Sequence, residues 1–145
     1  MSDVIAECAL CSGAGGIVLW RDDRLRVVLV DESDYPGFCR VIWHAHIREM
    51  SDLAAQERGH VMAVVFEVEA LLREVLNPDK INLASLGNLT PHLHWHVIPR
   101  WRDDPQFPGS IWSERLREPP VRASADLDAT LRARLAVRLG RIVST

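Results

Sequence analysis

At 145 residues, 48% of them hydrophobic and 26% charged, the chain has the size and composition of one domain with an ordinary core. A net charge of −3 gives no electrostatic case for a nucleic-acid polymer or a membrane surface as partner, and no apolar run approaches the ~20 residues that span a bilayer. The opening MSDVIAECAL lacks the basic start and apolar stretch of a secretion signal, so a cytoplasmic setting is expected.

Three cysteines do not make a disulfide framework. Cys8-Ala9-Leu10-Cys11 is a CxxC pair, open to three readings: half a zinc site, a redox pair, or two small hydrophobes. Ser12 to Gly16 is a flexible turn, and without a Lys-Ser/Thr ending it is not a phosphate-binding P-loop. Ile17–Trp20 and Leu25–Val30 read as strands joined by a hairpin turn over Arg21–Arg24. Asp31–Gly37 is a polar loop, with Tyr35 either at a ligand or on the surface. Phe38–Trp43 is a third strand, on which Cys39 is a buried small side chain.

Ser51 or Asp52 is the expected N-cap of a long helix. Val61, Val64, Val65, Val68, Leu71, Leu72 and Val75 form its apolar stripe, His60 is expected partly exposed, and Asn77-Pro78 stops it. Lys80–Leu86 is a fourth strand that turns through Gly87-Asn88 into a fifth. Residues 102–124 fit no regular element, though Phe107, Ile111 and Trp112 need apolar surface, and Trp112 is a candidate lid. Asp126–Val143 is a last amphipathic helix, with Leu127, Leu131, Leu135, Leu139 and Ile142 as its stripe. The expected architecture is α+β: an antiparallel sheet of about five strands, a long helix packed on it and a C-terminal helix. Residues 1–101 form the core, and 102–145 are an extension packed on the same domain.

The fifth strand carries the chemistry. In His92-Leu93-His94-Trp95-His96-Val97-Ile98 the alternation places three imidazoles on one face, roughly 6.5–7 Å apart along the strand, with Leu93, Trp95 and Val97 inward. Two uses compete: a metal site, because imidazole is the commonest metal ligand, or nucleophilic catalysis by a neutral ring.

This run, ending in Pro99-Arg100, resembles the signature of the histidine triad (HIT) superfamily of nucleotide hydrolases and transferases. Asn82 and Gly87-Asn88 match the frame upstream of that signature, and Pro36-Gly37 through His46 resembles the segment before it. The resemblance implies a HIT-like fold and cleavage at the α-phosphate of dinucleoside polyphosphates or nucleoside phosphoramidates through a covalent nucleotidyl-histidine. His94 is then the nucleophile, and His96 contacts the phosphate and assists the leaving group. His92 stands beside them or ligates zinc, while Asn82, Gly87 and Asn88 lie at the substrate. It further implies a homodimer, no cofactor for catalysis, and a structural zinc on Cys8, Cys11, His46 and His92.

Three departures from the family pattern stand out. Phe38 occupies the place of a fourth histidine, Trp43-His44 replaces Pro-Lys, and Asn88 replaces Gln. His44 is a candidate to compensate. Two alternatives follow: a nucleotide-binding or interaction module with weak or no catalysis, and a metal-dependent hydrolase with the histidine cluster as ligands.

Overall fold

Short runs of β-branched and aromatic residues, broken by Asp22-Asp23, Pro36-Gly37 and Asn77-Pro78, fold into five strands. A computed structural model describes residues 7–143, so the first six residues of the MSDVIAECAL opening lie outside the described residues. The elements are α1 (Ala9–Ser12), β1 (Ile17–Arg21), β2 (Leu25–Leu29), β3 (Cys39–Trp43), α2 (Ala55–Leu76), β4 (Lys80–Ala84), β5 (His94–Arg100) and α3 (Leu127–Val143). The strands make one antiparallel sheet in the order β1-β2-β3-β5-β4, which is the expected α+β architecture.

Alternation divides the sheet into two unlike faces. Leu25, Val27, Leu29, Cys39, Val41, Trp43 and Val97 join the α2 stripe Val61, Val64, Val65, Val68, Leu71 and Leu72 in the main core, which α3 extends through Leu127, Leu131, Leu135 and Leu139. The other face carries polar chemistry. Cross-strand pairs there are Arg26↔Ile42, Val28↔Arg40, Ile42↔His94, Arg40↔His96, Ala84↔His96 and Asn82↔Ile98.

Several local expectations are corrected. The long helix begins at Ala55 rather than after Ser51 or Asp52, which lie in a separate 3-10 turn. Glu57 supplies the cap instead, its carboxylate accepting the Ala54 N–H at 2.8 Å. His60 is buried, not at the surface, because its Nε2 meets the Asp22 carboxylate at 2.6 Å. Tyr35 is buried as well: its hydroxyl donates to Asp104 at 3.4 Å and also bonds Gln106. Gly37, at φ +87°, lies where a Cβ would fall 2.3 Å from Leu76 Cδ1, so the turn into β3 needs a residue without one.

Residues 102–124 hold no helix or strand, yet an ion pair anchors them. Arg100 Nε and Nη2 donate to the two oxygens of Asp104 at 2.7 and 3.0 Å, with both side chains almost fully buried. Burial alone would push the Asp104 carboxyl up. Hydrogen bonds from Arg100 and from the Trp101 and Phe107 amides outweigh it and hold the group below the ordinary carboxylate range. A carboxyl lowered by folding adds stability that is full above its unfolded value of about 3.9 and lost as pH falls through the folded one. Asp104→Asn should therefore cost about 3–5 kcal/mol in urea unfolding at pH 7 by leaving Arg100 unpaired. The wild type should lose stability more steeply than the variant below pH ~4.

Candidate active site

The site begins where β3 and β5 start to pair. Pro91 has no N–H to give, and the His92 N–H is engaged with Thr90 O at 2.8 Å, so the regular ladder opens only at Ile42↔His94. His92 therefore precedes the strand, which corrects the expectation of three imidazoles on one strand face. His94 and His96 alone stand side by side on β5, their rings edge to face at 4.8 Å.

His92 is held at both ends of its ring. Nε2–H donates to Trp43 O at 2.6 Å, which leaves Nδ1 as the lone-pair nitrogen, 3.5 Å from both Cys8 Sγ and Cys11 Sγ. His46 Nδ1 lies 3.4 Å from Cys11 Sγ. The four ligand atoms of Cys8, Cys11, His46 and His92 all fall within 4.8 Å of one another.

His94 takes the opposite tautomer. Its Nδ1–H donates to the His92 carbonyl at 2.6 Å, so the bare lone pair is on Nε2. Burial lowers its pKa, opposed by that carbonyl and reinforced by the nearby Arg40 charge. His96 is lowered to about 4, by burial first and then by His94 and Arg40. Its ring is flanked by Phe38 at 5.6 Å and Trp112 at 5.0 Å, and its buried Nδ1 has no partner among the described residues. At neutral pH both β5 imidazoles are thus uncharged, and the His94 lone pair is free for an electrophile.

The other expected site residues divide. Asn82 lines a cavity of about 500 Å³ with Ala84, Ile98, Ile111 and Trp112. Its Oδ1 accepts from Arg100 Nη1 at 2.8 Å, so the amide NH₂ faces away from the guanidinium. Gly87 (φ +82°) shapes the loop from β4 to β5, while Asn88 is exposed on that loop with no hydrogen bond among the described residues. His44 is tied elsewhere, between the Asp22 carbonyl at 3.0 Å and Arg26 Nη1 at 3.1 Å, and does not stand in for the histidine replaced by Phe38. A larger cavity of about 650 Å³, bordered by Asp31, Glu32, Asp34, Glu118 and Asp128, contains none of the histidines.

Sequence reading missed Arg40 and Asp104. A lone charge within the apolar strand run CRVIW was the available sign of Arg40. For Asp104 there was none, since it lies in the segment without periodicity.

A five-stranded sheet carrying paired imidazoles at the start of its fifth strand defines a histidine triad fold. Residues 14–103 match the family model of the HIT domain, and the chain belongs to that family. It is 29% identical over 134 residues to a protein named AP-4-A phosphorylase from Mycobacterium tuberculosis, covering 88% of this chain and 69% of that one. Among solved structures, a histidine triad protein from Marinobacter aquaeolei VT8 is 27% identical with a TM-score of 0.69, covering 88% of this chain and 91% of that one. Another from Bradyrhizobium japonicum is 25% identical with a TM-score of 0.68, covering 83% and 88%.

Proposed function

We propose that this protein is a nucleotide hydrolase or nucleotidyl transferase in which His94 Nε2 attacks the α-phosphorus of a bound nucleotide. The observation that carries the reading is the bond from His94 Nδ1–H to the His92 carbonyl, which fixes a neutral ring with its lone pair outward. A P–N bond to His94 forms as the bond from phosphorus to the leaving group breaks, and the leaving group departs with the electron pair and takes up a proton. Water then attacks the nucleotidyl-imidazole, the P–N bond breaks and the nucleoside monophosphate is released. His96 contributes its N–H to the phosphate and assists the leaving group, and the Asn82 amide lies by the phosphate or ribose. Gly87 and Asn88 flank the entrance.

Dinucleoside polyphosphates and nucleoside phosphoramidates are the proposed substrates, and the relative named AP-4-A phosphorylase supports the first. The site is read as working without a catalytic cofactor, in the cytoplasm. His92 Nδ1 is turned to the cysteines and His94 Nδ1 to a carbonyl, so a single catalytic metal on all three rings is the weaker reading. With diadenosine tetraphosphate in water, AMP and ATP are expected; with inorganic phosphate accepting the adenylyl group, ADP replaces AMP. His94→Ala should lower turnover by at least ~10³-fold, and brief EDTA should leave wild-type turnover unchanged. Binding without turnover in the wild type would instead favour a nucleotide-binding module, the reading to which Phe38 and the exposed Asn88 lean.

The proposal includes a structural zinc on Cys8, Cys11, His46 and His92. Zn–S bonds of about 2.3 Å and Zn–N bonds of about 2.0–2.1 Å put tetrahedral S···N edges near ~3.5 Å. The Cys8–His92, Cys11–His46 and Cys11–His92 sulfur–nitrogen separations are 3.4–3.5 Å. The Trp43 carbonyl already selects the His92 tautomer that such a site needs. The ion would bind the N-terminal segment to the residue whose carbonyl orients His94. Purified protein should contain about one zinc per chain by elemental analysis, and Cys11→Ser should lose it together with several degrees of Tm.

A homodimer is also proposed, with the free edge of β4 and the exposed Phe66 of α2 meeting a second copy. Sedimentation should show a dimer for the wild type and a monomer for Phe66→Glu.

A further inference from the structure

Arg40 is a cation whose own surroundings do not neutralise it. It is the second residue of β3, directly across from His96 in β5, on the sheet face that carries His94. Its side chain is half-buried, and its Nε is buried with no hydrogen-bond partner among the described residues. One bond is made, from Nη1 to the Gly15 carbonyl at 3.2 Å, by a group with five N–H donors. No carboxylate comes within ion-pair distance of it among the described residues.

Two buried arginines of this face are satisfied, while Arg21, across from Arg26, is exposed to solvent. Arg26 donates to the carbonyls of Leu10, Gly13 and Ala14, and Arg100 grips Asp104. Phe38 explains how Arg40 is kept in place. Its ring lies 5.6 Å from the Arg40 Cζ and 5.6 Å from the His96 ring, so it supports the guanidinium beside the imidazoles. A planar fork with unused donors suits a carboxylate or a phosphoryl group, and beside a nucleophile that must approach phosphorus the phosphoryl group is the fitting one.

We propose that Arg40 binds the non-bridging phosphate oxygens of the nucleotide attacked by His94, supplying positive charge where Phe38 has displaced a histidine. This rests on the reading that the triad receives a nucleotide phosphate. As His94 Nε2 closes on phosphorus, negative charge gathers on those oxygens, and a pre-positioned guanidinium stabilises it without reorganisation. The charge also reaches the rings, since Arg40 contributes to holding His94 and His96 neutral.

Calorimetric titration of AMP, adenosine and inorganic pyrophosphate into wild type, Arg40→Met and Arg40→Lys tests this. AMP and pyrophosphate affinity should fall roughly 10- to 100-fold in Arg40→Met and less in Arg40→Lys, while adenosine affinity stays within about twofold. Unchanged AMP affinity in Arg40→Met, or equal losses for AMP and adenosine, would overturn the assignment. So would wild type binding none of the three probes. Misfolding of the Met, Lys and an added Arg40→Gln variant alike, read from thermal melts, would make Arg40 structural and also overturn it. Pyrophosphate bound through Arg40 without any AMP binding would uphold the anion site and sink the nucleotide reading instead.

Discussion

One peptide group sets the chemistry of this fold. The carbonyl of His92 accepts the Nδ1–H of His94 at 2.6 Å, while the His92 ring is itself fastened to the Trp43 carbonyl at 2.6 Å. Each bond selects a tautomer, and the two choices are opposite. His92 presents Nδ1 to two cysteines, and His94 presents Nε2 to the open face of the sheet. A histidine free to rotate would divide its lone pair between two nitrogens and many directions. Here the β3–β5 ladder, which begins at Ile42↔His94, removes that freedom. Burial removes the proton, because a charged imidazole is poorly solvated there.

A second buried centre does comparable work on the other side of the site. Arg100 holds Asp104, the Gly109 carbonyl and the Asn82 amide oxygen at once. Through Asp104 and Gly109 it secures a segment without regular structure, and this brings Trp112 against the His96 ring. Through Asn82 it turns a neutral amide donor outward from β4. An ion pair this deeply buried contributes little net stability compared with apolar packing. Its value lies in geometry, since it couples β4, β5 and the following loop into one wall.

What the sequence made legible follows from periodicity. Alternation identified the strands, and the valine and leucine stripe of α2 identified the helix that covers them. The imidazole run pointed to the candidate site because ionisable residues at period two on an apolar strand have few bland explanations. Failures came where a single long-range partner decides the outcome. His60 looked like a surface residue because Asp22, 38 positions away, cannot be read as its partner from spacing. Tyr35 was misplaced for the same reason, its partners lying about 70 residues on. His92 fell two residues ahead of the strand it was expected to join, because Pro91 and the Thr90 carbonyl compete locally with the ladder.

Phe38 looked at first like a plain loss, since a phenyl ring cannot donate a hydrogen bond to phosphate. The structure gives it a different meaning. A histidine there would supply one N–H and a charge that depends on pH. The Phe38–Arg40 pair supplies a permanently charged fork resting on an aromatic face, with the donor two residues further on, inside β3, at the position across from His96. A fixed cation beside two neutral imidazoles also divides the labour more sharply: charge resides on Arg40, and the lone pair resides on His94. An imidazole sharing both duties would become a worse nucleophile whenever it became a better cation, and separating the two on different strands removes that conflict.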